Sequence, residues 1–332
     1  VAAGTYGSGT LINPALLAKA KPDDGITVIL PSIGAQISDK DNLRDKIDDI
    51  SDDVSRYRST LDNINLIDLL NPLSPASQQV SSAAGDLADQ LDSLKGKTAS
   101  GKAGGGIAVS IPNDVLSVAF VAKANARARV SSYIDQGDID ILRGVEAVPA
   151  TALTVNPNNL KSKGFGRAAI VSDYGVTVAR QFDISGVPVS LGITPKLQKT
   201  WLYNYTVSIY NFDSGDINSS RYRNDDTGFN VDAGLAADFG ENWTVGLTGQ
   251  NLFSRDIDTK EVDGVRDTYQ ISPVVTAGAA WHTDLLTLTA DGDLTETKGF
   301  KSEDTSQYVG VGAEVTPLSW LAVRAGYRAD MK

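Results

Sequence analysis

The sequence predicts an all-β protein, a transmembrane antiparallel β-barrel carrying an α-helical hairpin. Three observations carry the barrel: strict period-two alternation in many segments, turns that are alternately tight and long, and aromatic residues gathered beside the tight turns. In GFNVDAGLAADFGENWTVGLTGQNL, Phe229, Val231, Ala233, Leu235, Ala237 and Phe239 share one parity, while Asn230, Asp232, Gly234, Ala236 and Asp238 share the other. Trp243, Val245 and Leu247 resume the pattern after Gly240-Glu241-Asn242. One face is apolar and the other small, polar or acidic. Alternation alone fits a soluble sandwich as well as a membrane barrel. The turn asymmetry and the aromatic row favour the barrel, because rings with a polar edge collect where hydrocarbon meets water.

In chain order, the opening VAAGTYGSGT has no basic region followed by an apolar run, the appearance of a chain whose signal peptide is already removed. Ile26 to Ser38 reads as the first strand. From Asp39 the rhythm changes: Leu43, Ile47, Ile50, Val54, Tyr57 and Leu61, then Val80, Ala84, Leu87, Leu91 and Leu94, step by threes and fours. This spacing predicts an antiparallel helical hairpin, with SGKAGGG at Ser100–Gly106 as a flexible return. Alternating pairs follow around Pro112-Asn113-Asp114, Asp183–Gly186, Gly240–Asn242, His282-Thr283-Asp284 and Thr316–Ser319. Between them lie long polar stretches, Asp213–Thr227, Ser254–Tyr269 and Thr295–Ser306. Tilted segments of about ten residues cross the hydrocarbon slab, and closure satisfies every backbone polar group there. The strand count places the helical hairpin at the long-loop end and leaves the chain on an outgoing strand, so its C-terminal strands are expected to be missing.

Phe182, Phe239, Trp243, Trp281 and Trp320 are the candidate membrane-interface aromatics. The polar parity puts Asp291, Asp293, Arg127, Arg129 and Arg324 into the lumen as candidate crossed charges. The formal net charge of -11 argues against a nucleic-acid partner. No stretch of about eighteen apolar residues is present, and the absence of cysteine removes disulfides and thiolate chemistry. His282, the one histidine, has no paired ligand or nucleophile in view, so neither catalysis nor a metal or cofactor is expected. Gly96-Lys97-Thr98 imitates the end of a phosphate loop, but Leu91 occupies the position that needs glycine. Asp135, Asp138 and Asp140, and the acids of Asp213–Asp226, could attract divalent cations but read first as solvated surface.

With GTLINPALLAK, VPVSLGITPKLQ, GFNVDAGLAADFGENWTVGLTGQNL, LLTLTADGDLTE and PLSWLAVRAGYR, the chain resembles the TraF-type (conjugal transfer protein TraF) outer-membrane group. That group is related to the FadL transporters of long-chain fatty acids and other hydrophobic molecules. The resemblance implies a FadL-like barrel of about fourteen strands when complete, residues 25–332 here, with an N-terminal hatch at 1–24; the helical insertion at 39–100, which the strand count places on the extracellular side, is the departure from FadL. It carries the Asn-Pro-Ala hatch motif onto Asn13, Pro14 and Ala15. Proline fixes one dihedral there and asparagine closes a local turn, so an ordinary turn ahead of a helical stub fits the same residues. The function implied is passive uptake of a small hydrophobic ligand across a Gram-negative outer membrane, with lipid and lipopolysaccharide as surroundings. The alternative is a surface-anchored interaction protein of a conjugation or other envelope assembly, docking a protein partner through residues 39–97. Deleting the hairpin discriminates the two, since uptake survives it and docking does not.

Overall fold

A computed structural model describes the chain except residues 4–5, 22–24, 40–41, 114, 157–158, 212–218 and 319–320. For side chains, 6–7, 31–32, 44–45, 47–48, 66 and 318 are also left out. One eleven-stranded antiparallel sheet dominates. It runs β1 (Thr27–Ser38), β2 (Thr98–Ile111), β3 (Ser117–Tyr133), β4 (Lys163–Ile184), β5 (Val187–Ser208), β6 (Arg223–Phe239), β7 (Trp243–Gln250), then β10 (Val274–His282), β11 (Leu286–Asp293), β12 (Tyr308–Leu318) and β13 (Leu321–Asp330). The short strands β8 (Arg255–Asp258) and β9 (Thr268–Ile271) pair only with each other. The sheet curls on itself: Lys123 of β3 reaches Asp232 of β6 at 3.2 Å, and Lys102 of β2 reaches Tyr308 of β12 at 3.1 Å. Among the described residues, β1 and β13 are each paired on one side only.

The side chains face the way the alternation requires of a membrane barrel. On β6, Phe229 and Leu235 are 53% and 37% exposed, whereas Asn230 and Asp232 between them are 0% and 2% exposed. The inward face of β5 buries Thr194, Lys196, Gln198, Thr200 and Asn204, while Leu191, Ile193, Leu197 and Trp201 stand outside. A soluble sandwich would reverse this, since exposed apolar surface on such a scale has no stable place in water. The fold is that of a transmembrane antiparallel β-barrel, lipid-facing outside and polar within.

Tight turns close one end. Ile184 pairs with Val187 across Ser185-Gly186, whose φ values of +56° and +84° match the hairpin turn that follows strand twist. The β6–β7 turn pairs Phe239 with Trp243, and Trp243 in turn faces Trp281 of β10. At the other end the long connections gather into a helical cap. α2 (Leu43–Asp62) and α3 (Pro75–Leu94) form the helical hairpin, and α4 (Gln136–Ala147), between β3 and β4, packs against it. A short helix, α1 (Tyr6–Thr10), lies near the start of the chain. Ser74 caps α3 by accepting from Ser77 N, with Pro75 at the first helical position. The cap buries Val54, Tyr57, Val80, Leu87, Leu91, Leu142 and Val145 in one apolar cluster.

The structure differs from the sequence reading in three elements, one of them the β8–β9 hairpin, which falls largely within the Ser254–Tyr269 stretch expected as loop. The Ser100–Gly106 run is regular strand within β2, register-paired with both β1 and β3, because neighbours on each side supply its hydrogen bonds whatever its propensity. The YIDQGDIDI stretch opens α4. Asp135 caps the helix through Gly137 N, and the buried Asp138 carboxylate accepts from the Lys161 and Ser162 amides. These acids serve structure.

Candidate functional site

The residues that bear on function meet inside the curl. At the tight-turn end the N-terminal segment crosses the lumen. Asn13, Pro14 and Ala15 start a 3-10 helix, Pro14–Lys19, with Asn13 as its N-cap: Asn13 Oδ1 accepts from Ala15 N at 3.0 Å. Asn13 Nδ2 donates to Leu235 O on β6 at 3.2 Å and to Val1 O at 3.0 Å, and the side chain is fully buried. Leu17 fits among the lumen-facing alanines Ala108, Ala119 and Ala179 on three strands, and Leu16 meets Ala236. Lys19 Nζ bonds Asp238 at 2.6 Å, and the same carboxylate oxygen accepts from Thr244 Oγ1 at 2.6 Å. Small side chains on the wall thus make room, and one ion pair pins the end of the helix.

Toward the cap a second segment folds inward. β8 and β9 lie on the inner face of β4 and β5, where Ile257, Tyr269, Ile271 and Phe300 cluster with Ala169 and Leu202. Asn204 Nδ2 holds the hairpin by donating to Lys260 O at 2.7 Å and Val265 O at 3.0 Å. Where this segment leaves β7, Asn251 adopts φ +53° and places its Oδ1 2.8 Å from Lys196 Nζ and 3.0 Å from Gln198 Nε2. Lys196 lies 2.8 Å from both Asp173 and Asp232. Lys123 also reaches Asp232. Two carboxylates and two ammonium groups are therefore matched on the wall, which is what a charge cluster removed from water requires.

Between the two segments lies a cavity of about 880 Å³, lined by Leu11 and Ile12 of the N-terminal segment, by Tyr269 and Ile271 of the in-folded one, and by Lys102, Arg127 and Asp173 of the wall. Of the candidate lumen charges, Arg127, Asp291 and Asp293 line this cavity, Arg324 is 74% exposed on the edge strand β13, and no two of the five pair with each other. Arg127 approaches Glu303 at 3.5 Å, Arg324 pairs with Glu314, and Arg129 lines a smaller recess with Arg167 and Glu303. Asp291 accepts from the Val1 amino group, and Asp293 accepts from Thr276 Oγ1 at 2.8 Å and Tyr308 N at 3.1 Å. Of the candidate aromatics, Phe182, Phe239 and Trp243 are exposed on the outer face beside tight turns and Trp281 is partly so. Trp320 lies outside the described residues. Trp201, outward on β5 and well away from the Ser185-Gly186 turn, is not among the sequence candidates. His282 sits at the end of β10, where its amide donates to Asn242 O at 2.9 Å. Among the described residues no group of three or more His, Asp or Glu is placed to hold a metal ion.

The family model described as "F plasmid transfer operon, TraF, protein" matches residues 10–293, most of the chain. The chain belongs to this TraF family. No curated protein matches it. Among solved structures, the ferric-catecholate import receptor Fiu from E. coli K12 in its open form aligns at 10% identity and a TM-score of 0.33, over 70% of this TraF-family chain and 40% of the receptor. The P. putida toluene transporter TodX aligns at 12% identity and a TM-score of 0.33, over 69% and 63% of the two chains. The TraF-family chain thus spans less than two thirds of either.

Proposed function

We propose that the chain is a plugged channel of the bacterial outer membrane for passive uptake of small hydrophobic molecules. The observation that carries this reading is the chamber between the N-terminal segment and the in-folded β8–β9 hairpin, about 880 Å³, a size at which small-molecule sites occur. Its lining mixes Leu11, Ile12, Val171 and Ile271 with Lys123, Asp173 and Lys196, so the best-fitting ligand has an apolar body and a polar end. Residues 1–24 act as the hatch, the cap faces the extracellular side, and lipopolysaccharide and lipid surround the wall. Catalysis plays no part. The test is entry of a hydrophobic fluorescent probe, and of a sugar of equal size, into vesicles carrying the full chain. Selective entry of the probe supports the reading, and entry no faster than into protein-free vesicles sinks it.

A second reading rests on the helical hairpin. The loop joining α2 and α3 exposes Ile67, Leu70 and Leu73 at 72%, 68% and 82%, and the family takes its description from a plasmid transfer operon. Residues 39–97 would then dock a protein of a conjugation or other envelope assembly. Excising them while probe entry persists and a transfer phenotype is lost favours docking.

A further inference from the structure

The inner wall carries a pair of facing glycines at the point where the N-terminal segment rests. Gly192 on β5 and Gly234 on β6 are direct cross-strand partners. Their lumen-facing neighbours along the same strands, Ser190 and Thr194 on β5 and Asp232 and Ala236 on β6, all carry side chains and are buried. The glycine pair is therefore a local gap in a lined wall, and the Asn13-Pro14-Ala15 turn fills it. A Cβ at Gly234 would overlap Asn13 Oδ1 and lie 3.1 Å from Ala15 N. At Gly192 it would overlap the Pro14 carbonyl carbon, 2.5 Å from its oxygen and 2.6 Å from Ala15 N. Neither glycine has a positive φ, so the backbone conformation there does not itself require glycine. Space alone demands glycine at both positions. The atoms in the way are mostly backbone of the turn, which has no rotamer to change.

We infer that Gly192 and Gly234 are positioning residues that seat the Asn13-Pro14-Ala15 turn and so set the closed state of the lumen. The inference rests on the hatch reading above and adds which wall positions hold the hatch in register. The seat acts by shape: Asn13 both caps its own helix and ties to Leu235 O next to the gap. A methyl group in the gap lifts the turn, loosens that bond and opens a leak past the segment.

The experiment uses the full chain in planar bilayers, with a deletion of residues 1–20 as reference. G192A and G234A should each raise the open fraction roughly tenfold, the scale of a cramped methyl in a packed site. G164A, whose new Cβ would meet nothing within 4 Å, should behave as the parent. Adding Asn13→Ala to G234A removes the overlapping oxygen and should return part of the closure. A readout independent of current uses the lack of native cysteine: an Ala15→Cys/Ala236→Cys pair, drawn from one buried cluster, should cross-link under oxidant, and G234A should reduce the yield several-fold. If the deletion leaves conductance unchanged, the hatch reading fails. If the deletion opens the channel but G192A and G234A change neither current nor cross-link, the seat is overturned and the hatch reading stands. Should G234A fail to fold, as read by heat-shifted gel mobility, G192A and its cross-link decide alone.

Discussion

Tyr57 sits at the centre of the helical cap, 1% exposed, with its ring edge-on to Tyr210 at 6.3 Å and its hydroxyl without a hydrogen-bond partner among the described residues. Burial, with a smaller contribution from Tyr210, pushes its phenol up to about 12. Because an unpaired buried hydroxyl costs about 1–3 kcal/mol, Tyr57→Phe should leave the cap as stable or more so, whereas Tyr57→Ala should cost about 3–5 kcal/mol through the cavity. Helical circular dichroism at 222 nm through a thermal melt separates the two. Asp53 is a second stressed group. Burial raises its carboxyl above the ordinary value of 3.8, and Arg56 offsets that only in part. Its folded pKa lies above the unfolded one, so its contribution is most favourable below pH 3.8 and is lost as pH rises through the folded value. Asp53→Asn should therefore stabilise the cap at pH 7 relative to the parent, with the gap closing on acidification; an unchanged gap would remove the assignment. In the sequence, Tyr57 was legible as a helix-face position by its spacing, whereas the burial of Asp53 was not. The turn-forming role of Asn13 was equally readable, but its bond to Leu235 spans 222 residues and no local pattern records it.

At the level of elements, what is readable follows periodicity. β6, β7, β11 and β12 alternate cleanly, and α2 and α3 keep their rhythm for 20 residues each. α4 escaped because its 12 residues begin among Asp and Gly, residues that favour turns when read alone. The β8–β9 hairpin escaped for the opposite reason. Its strands have 4 residues each, too few for a period, and its place on the inner wall depends on contacts with β4 and β5. The charged node that anchors it combines Asp173, Lys196 and Asp232 from three strands, so only the register brings them together. Lys196→Met should leave Asp173 without its cation and Asp232 with Lys123 alone, and cost about 3–5 kcal/mol, as breaking a buried ion cluster does. Lys196→Met combined with Asp173→Asn, which leaves Lys123 and Asp232 as a matched pair, should recover much of it. Urea unfolding from vesicles measures both, and equal losses in the two proteins would deny the node.

For the whole molecule, the decisive arrangement is an apolar exterior around a polar interior. It was legible early because it needs only parity and the sign of each face. The placement of Trp201 was not, because one aromatic far from a tight turn looks like any strand residue. The arrangement makes a direct prediction. In vesicles with bromine on the acyl chains, Trp243 and Trp281, with Trp201 and Trp320 changed to Phe, should be quenched most when bromine lies near the headgroups. Bromine near the chain ends should quench them less, since indole rings anchor at the border. Indifference to every bromine position would mean that the outer face does not meet lipid. The attachment of residues 13–19 to β6 and β7 carries a temporal implication. Asn13 is bonded to Leu235, and Lys19 to Asp238 and Thr244, across 219 to 225 residues. Contacts so remote in sequence are slow to form. Residues 13–19 therefore have nowhere to settle until the strands around 235–244 have formed, and a segment early in the chain is among the last to be fixed in place.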